Sequence, residues 1–589
     1  CIESERQALL SLKRGFNVTH DDDDWLSSWG DGEQQQECCN WEGVKCSNVT
    51  GHVLMLHLHG YHTLGSISPS LSELHHLKYL DLSGNRFTHT PSLPPFIGSL
   101  TFLTHLNLSR CYFGGNIPPQ LGNLSHLVYL DLSSSNLVGG FPLQLTNMSS
   151  LTYLDLSLNK FNGTLPPQLG NLLSLEHLDL HGNAFTGTIP HHFRNLSCLQ
   201  FLDLSIGQLS NLFELSLANN LLHGLISEAH FSRLSNLESL DLSHNAFAFN
   251  VSVEWVPPFN LSEANLASCN LGPNFPKWLQ TQMHVQQLDI SQAQLSSPVP
   301  NWFWEGFFRI WSLNLSHNHI RGKIEGNHHR GNIEFQTIDL SSNLFEGPIP
   351  AFLSTASEVF LSNNRFSTAN PLLCANSSKY TRFMDLSNNY LRGELPDCWM
   401  GFESLVVLDL SDNHFYGNMP KSLGSLRNIK SIHLEGNNFS GEIPSSLNNC
   451  TQLQVFDAAH NKLSGRIPTW IGDNISKLLV LSLHSNRFHG NIPFSMCNLD
   501  EIRVLDLSLN ILSGSIPKCI SNLSAMANQA NSDDYHYEFD TSVYSRSYAV
   551  RGVSGVYNDS ASLTWKGKMS KYGSTLGLLI NFLDLSRNH

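Results

Sequence analysis

LTYLDLSLNKFNGTLPPQLGNL (Leu151–Leu172) and LEHLDLHGNAFTGTIPHHFRNL (Leu175–Leu196) are two copies of one phrase, with Leu, Asn, Gly and Pro held and the residues between them changed. The copying has a fixed step. Leu106, Leu130, Leu154, Leu178 and Leu202 each open an L-x-L core and lie 24 residues apart, and Met384, Leu408, Ile432 and Phe456 repeat that step. In YLDLS (153–157), Leu154 and Leu156 point inward while Tyr153, Asp155 and Ser157 point outward, the two-residue alternation of a half-buried strand. Asn159, Asn183, Asn413, Asn437, Asn461, Asn486 and Asn510 hold one position in successive copies. A buried amide there both donates and accepts, satisfying backbone groups where the chain leaves the strand. The G-x-I-P that follows supplies a flexible turn and an extended segment whose proline brings no donor. One copy cannot bury its apolar side alone, so only the stack is stable.

A period of about 20–29 residues carrying L-x-x-L-x-L-x-x-N is the leucine-rich-repeat signature, one strand per coil of a solenoid. The longer phrase, L-x-G-x-I-P-x-x-L-G-x-L, resembles the plant-specific class of these repeats, from Cys1 to His589. That resemblance implies an α/β-type repeat solenoid, a superhelix with a parallel β-sheet on its concave face. The front end, CIESERQALLSLKRGF followed by DWLSSWGDGEQQQECCNWEGVKC, resembles the N-terminal cap of plant receptor-like proteins, receptor kinases and polygalacturonase-inhibiting proteins. By that resemblance residues 1–52 form the cap, with Cys1 joined to Cys38 and Cys39 to Cys46, and the array fills 53–524.

Two more cysteine pairs follow from register. Cys374 lies ten residues after Asn364 and Cys398 nine after Asn389; Cys497 lies eleven after Asn486 and Cys519 nine after Asn510. Adjacent strands about 4.8 Å apart bring such positions within disulfide reach. Cys111 and Cys269 stand in the Asn position and, with Cys198 and Cys450, are expected as buried thiols. Paired cysteines imply an oxidising compartment. Glycosylation sequons agree with it: Asn17, Asn48, Asn123, Asn147, Asn195, Asn250, Asn260, Asn376, Asn449, Asn474, Asn522 and Asn558 are expected acceptors, with further matches at Asn162 and Asn438. Asn107 and Asn314 also match but lie on strands, where some sequons should stay bare.

Hydrophobic residues make up 41% of the chain, enough for a continuous core, and charged residues only 14%. A net charge of -15 leaves no basic footprint for nucleic acid. No apolar run is long enough to cross a bilayer; LGLLINFLDL (576–585) reads as the start of another repeat. The chain contains no P-loop, G-x-G-x-x-G, H-E-x-x-H or paired-Cys zinc spacing, and no nucleophile with its base and orienter. The expected class is therefore a non-enzyme with no cofactor and no metal. The 29 histidines invite a metal reading. Ligation needs several donors converging, and the spacing shows no such set. His181, His433 and His484, at outward strand positions, are instead expected as solvated residues, as is the acidic run Asp21–Asp24. With His57, His59 and His177 they are expected to gain charge as pH falls through about 6.5.

Three places break the rhythm. After Leu202 the next strand core, Leu215, comes 13 residues later, an irregular junction near 205–206. After Leu505 the next core is Leu583, and residues 525–575 have no repeat pattern. That stretch carries Tyr535, Tyr537, Phe539, Tyr544, Tyr548, Arg551, Trp565 and Lys566. Aromatic and basic side chains of this kind are enriched at binding hot spots, so these residues are expected to contact a ligand or co-receptor. The segment resembles the island of plant receptor-like proteins, and LTWKGKMSKYGSTLGLLINFLDLS in particular resembles the fungal ethylene-inducing xylanase receptor group. Finally, residues 576–589 begin a further repeat that stops at FLDLSRNH. The expectation is a mature chain, trimmed from a longer form that the family would continue with repeats, a cap, one membrane helix and a short tail.

The resemblance thus implies the extracellular, apoplast-facing ectodomain of a plant immune receptor-like protein, anchored in full-length form by a single plasma-membrane span absent here. Its implied partners are a secreted microbial protein elicitor, such as a glycoside hydrolase, and co-receptor and adaptor kinases of the leucine-rich-repeat type. Outward strand residues Tyr129, Tyr153, His177, His181 and Phe201 are the expected ligand contacts on the array. The alternatives are a secreted inhibitor of cell-wall-degrading hydrolases and a receptor-kinase ectodomain for an endogenous peptide or steroid hormone.

Overall fold

The computed structural model describes residues 1–17, 26–30, 32, 37–60, 64–87, 92–187, 201–202, 213–232, 234–306, 310–325, 336–375, 378–527, 560–565, 568–573 and 582–589. They form two compact units, Cys1–Leu271 with Pro276–Val285, and Gly272–Phe275 with Gln286–His589.

The first unit opens with the helix Glu3–Gly15, which buries Ala8, Leu9, Leu10 and Leu12. Its acids Glu3 and Glu5 lie in the first turn and Lys13 and Arg14 in the last, the arrangement that the helix dipole favours. Lys13 Nζ donates to the carbonyls of Leu26 and Trp29, and Trp29 stacks on Trp41 at 5.3 Å. Disulfides join Cys1 to Cys38 and Cys39 to Cys46, with Cα–Cα distances of 5.6 and 5.4 Å. The strand Val44–Cys46 pairs antiparallel with Val53–His57, and from there the sheet is parallel, one strand per coil. Met55, Tyr79, His105, Tyr129, Tyr153, His177 and Phe201 stand side by side in register. The irregular junction does not interrupt this sheet: Phe201 pairs with Glu214 and Leu202 with Leu215.

Within each coil the inward leucines are sealed; Leu80, Leu106, Leu130, Leu154 and Leu178 are fully buried. At the turn, Asn159 Oδ1 accepts from the N–H groups of Ser135 and Leu137, while Nδ2 donates to the carbonyls of Leu132, Leu156 and Ser157. One amide therefore ties two coils together, as its recurrence in the sequence requires. Where Cys111 replaces it, the thiol donates to the Leu82 carbonyl at 3.1 Å. The residue just before this position is left-handed even where it is not glycine, as at Leu158 (φ 53°) and Leu509 (φ 53°).

The segment expected only as a turn and an extended stretch forms a second parallel sheet. In this unit it comprises Val138–Gly139, Lys160–Thr164, Ala184–Gly187, Leu221–Ile226 and Ala246–Phe249. Extended backbone repeated at one position in stacked coils meets its own copy, so the N–H and C=O groups pair. Inside it Phe161 and Phe185 stack at 6.2 Å. Short 3-10 turns such as Pro119–Asn123 and Pro167–Asn171 close each coil.

The second unit repeats the plan. Its main sheet runs in parallel from Gln287–Asp289 through Phe383–Asp385, Val407–Asp409, Ser431–His433, Val455–Asp457 and Val480–Ser482 to Val504–Asp506. Disulfides Cys374–Cys398 and Cys497–Cys519 clip neighbouring coils, with Cα–Cα distances of 5.5 and 5.7 Å. Cys111, Cys269 and Cys450 are free and buried, and Cys198 lies outside the described residues. Past Ala527 the described backbone is a two-stranded antiparallel hairpin, Ser560–Trp565 with Lys568–Gly573. The strand Phe582–Asp584 then joins the main sheet beside Val504–Asp506, pairing Leu505 with Leu583. Asn588 takes the ladder position there, donating to the carbonyls of Leu507 and Leu585.

Candidate functional site

On the outward face of the first unit, coil spacing turns a column of sequence positions into a column of stacked rings. Tyr79, His105, Tyr129, Tyr153 and His177 lie face to face, with successive centroids 4.1, 4.0, 4.2 and 4.0 Å apart. Strands about 4.8 Å apart leave planar side chains no other dense arrangement. Stacking hides the faces and leaves ring edges and hydroxyls to meet a partner. Burial, helped by Asp131, pushes the Tyr129 phenol up to about 12, and burial with Asp155 raises that of Tyr153. Both therefore stay protonated donors.

Beside the rings runs a column of carboxylates. Asp131, Asp155 and Asp179 are register partners on neighbouring strands, 8%, 6% and 0% exposed. Asp131 and Asp155 each accept from the backbone N–H of the serine two residues on, Ser133 and Ser157. Burial first, then repulsion from Asp179 and Asp131, pushes the Asp155 carboxyl up to about 7. In the third column Ser133 and Ser157 give way to His181, whose Nδ1 lies 2.6 Å from Asp179 Oδ1.

The second unit writes its outward face differently. Phe360, Phe383 and Val407 form an apolar cluster, and Val455 and Val504 are buried in the same sheet. Polar groups are sunk between them. Asp385 is pushed up to about 6 by burial and then by Asp409; Asp457 rises to about 7 through burial and then Glu435.

Of the residues expected to bind, Tyr129, Tyr153 and His177 come together in one ladder, and His181 stands two columns away, beyond the aspartates. Tyr79 and His105 belong to the same ladder and were not singled out from the sequence, although their outward places in YLDLS and HLNLS carry the signal. Phe201 pairs through its backbone with His177, and its side chain is not among those described. The expectation of solvated histidines needs correction. His181, His433 and His484 are 7%, 4% and 3% exposed, because flanking coils close over them. Burial, then His460, pushes His484 down to about 4, so it does not gain charge in mild acid. His57, by contrast, keeps 49% of its side chain exposed. Tyr535, Tyr537, Phe539, Tyr544, Tyr548, Arg551 and Lys566 lie outside the described residues, as does Asp21–Asp24; Trp565 pairs with Lys568 in the hairpin backbone.

Among the sequons, Asn48, Asn123, Asn147, Asn250, Asn260, Asn449 and Asn474 are exposed. Asn107 and Asn314 are half-buried and hydrogen-bonded, Asn107 to Ser109 and Asn314 to Asp289 and Ser316. Asn195, Asn376 and Asn558 fall outside the described residues, and the side chains of Asn17 and Asn522 are not described. No convergent metal donors were visible in the spacing, yet the stack assembles some. Donor atoms of Asp155, His177 and Asp179 all lie within 4.8 Å of one another, as do those of Glu5, His52 and His76.

Comparison with known proteins locates this surface in a family. The leucine-rich repeat N-terminal domain model matches residues 2–47, the leucine-rich repeat region model 51–160 and 115–297, and single leucine-rich repeats 404–426, 428–450 and 501–523. The receptor-like protein EIX2 of Solanum lycopersicum is 44% identical over 185 residues, 31% of this chain and 18% of that protein. EIX1 from the same plant is 46% identical over 129 residues, 22% of this chain and 12% of that protein. Receptor-like protein 54 of Arabidopsis thaliana is 35% identical over 434 residues, 68% of this chain and 52% of that protein. The matched segments thus span about half or less of these relatives. Among solved structures, the Arabidopsis receptor kinase HAESA, in complex with the peptide hormone IDA and the co-receptor SERK1, aligns with a TM-score of 0.68 at 29% identity, covering 88% of this chain and 92% of that one. The chain belongs to the leucine-rich-repeat receptor-like proteins, and in its matched segments it is similar to the EIX pair.

Proposed function

We propose that this chain is the ligand-binding ectodomain of a plant cell-surface immune receptor, one that recognises a secreted microbial protein of the glycoside hydrolase class and engages a co-receptor kinase and an adaptor kinase. The observation that carries this reading is the ladder Tyr79–His105–Tyr129–Tyr153–His177, a continuous row of ring edges and hydrogen-bonding tips on an open sheet face. Tyrosine supplies large contact area at little conformational cost, which suits recognition. Similarity to the EIX receptor-like proteins supports the immune role, and the HAESA complex supports a co-receptor. The chain then faces the apoplast, and its full-length form is held by a single membrane span; among the described residues no helix is long and apolar enough to cross a membrane. The test is surface plasmon resonance of the chain against a purified fungal xylanase. Tyr129→Ala with Tyr153→Ala should weaken binding by about tenfold or more with an unchanged melting curve. Equal affinity of variant and wild type, or no binding by either, would refute the reading.

A further inference from the structure

The coil that begins at His177 departs from its neighbours in a specific way. Three coils before it place Tyr, Asp and Ser in the outward columns, as Tyr79–Asp81–Ser83, Tyr129–Asp131–Ser133 and Tyr153–Asp155–Ser157. This coil writes His177–Asp179–His181, replacing both residues that flank the aspartate with imidazoles. Register then sets Asp155 directly opposite Asp179. The result is two carboxylates and two imidazoles in one place, drawn from adjacent strands.

We infer that Asp155, His177 and Asp179 form a binding site for a divalent transition-metal ion of the zinc type, with His181 at its edge. One donor atom from each of the three lies within 4.8 Å of the other two, and side-chain rotation that draws them together would set all three about 2.1 Å from one ion. The donors are held on sheet rather than loop. Tyr153 stacks on the His177 ring at 4.0 Å and fixes its plane. His181 Nδ1, 2.6 Å from Asp179 Oδ1, either orients that carboxylate or supplies a fourth donor. Mixed imidazole and carboxylate donors suit zinc better than calcium or magnesium, which take oxygen alone.

Electrostatics favours an ion in this place. Asp155 and Asp179 are buried side by side, Asp131 stands one strand further along, and no Lys or Arg occupies the strands Tyr129–Asp131, Tyr153–Asp155 or His177–Asp179. Like charges held this close and dry repel strongly, and a divalent cation removes that repulsion. The other histidine cluster lacks these properties. There a single carboxylate, Glu5, is present, and the His52 and His76 rings lie face to face at 3.7 Å, so their in-plane lone pairs do not converge.

The site does not depend on what the ladder binds, and its test needs no elicitor. The chain, stripped with a chelator and dialysed, is titrated with zinc chloride by calorimetry, and with cobalt(II) to read the visible absorption of a low-symmetry nitrogen–oxygen site. One ion per chain is expected. Asp155→Asn, nearly isosteric, and His177→Ala should each weaken zinc binding about 10–100-fold and abolish the zinc-induced rise in melting temperature. A double His52→Ala, His76→Ala variant should bind as wild type does. Failure to take up one ion, or uptake that survives Asp155→Asn but is lost with His52 and His76, would remove the site. Chelator-treated melting curves confirm that the variants are folded.

Discussion

Asn413, 3% exposed, donates through Nδ2 to the carbonyls of Leu386, Leu410 and Ser411 and accepts from the Leu391 N–H. Asn413→Ala strands several buried backbone groups at once, so a loss on the order of 3 kcal/mol is expected in urea unfolding. Asn413→Cys should recover part of it, since Cys269 in the equivalent place donates to the Leu242 carbonyl at 3.3 Å. A variant as stable as wild type would show that the ladder is not structural. Asp385 makes the opposite contribution. Its carboxyl is raised from 3.8 to about 6, by burial and then by Asp409. Between those values the folded state holds a proton that the unfolded chain has released. The stabilisation is therefore fully present below 3.8 and is lost as pH rises through about 6. Asp385→Asn should flatten the pH dependence of the melting temperature between about pH 4 and about pH 6, gaining on wild type at the upper end. Identical slopes would exclude Asp385 from that dependence.

Elements in this protein are made by neighbours of the same kind. The disulfide Cys374–Cys398 closes one coil onto the next across a sequence separation of 24. Its removal by Cys374→Ser with Cys398→Ser should cost about 2–4 kcal/mol. A non-reduced digest should yield the two cysteines in one linked peptide pair; a bond from Cys374 to Cys450 would mean a different coil register. Glycine in L-G-x-L marks another contact between coils, because a Cβ at Gly424 would run into the Ser446 carbonyl of the next turn. The strands, the Asn ladder and the inter-coil disulfides were legible in the sequence because each is one position repeated at a constant step. The second sheet was not. Each of its strands is too short to show a pattern of its own, and its hydrogen-bond partners lie a whole coil away, as Gly163 does from Phe185.

At the scale of the molecule, the stack leaves its repeat after residue 527 and resumes it at Phe582–Asp584, so residues 527–575 can be exchanged without cutting the main sheet. Replacing them with a short Gly/Ser linker should preserve secretion and the melting transition while abolishing elicitor binding or co-receptor recruitment. Unchanged binding and unchanged complex formation would assign no recognition to the segment. The amino-acid sequence by itself determined the coil period, the strand register, the buried leucine and asparagine columns and the inter-coil cysteine pairs. These depend only on a residue and its counterpart one step away. Tertiary structure alone decided that His181, His433 and His484 are closed in, that Asp155 and Asp457 resist ionisation, and that His177 meets two carboxylates. Outward residues are the ones that the repeat leaves free to vary. Their environment is set by unlike side chains brought within about 4.8 Å by stacking, a proximity that no single repeat contains.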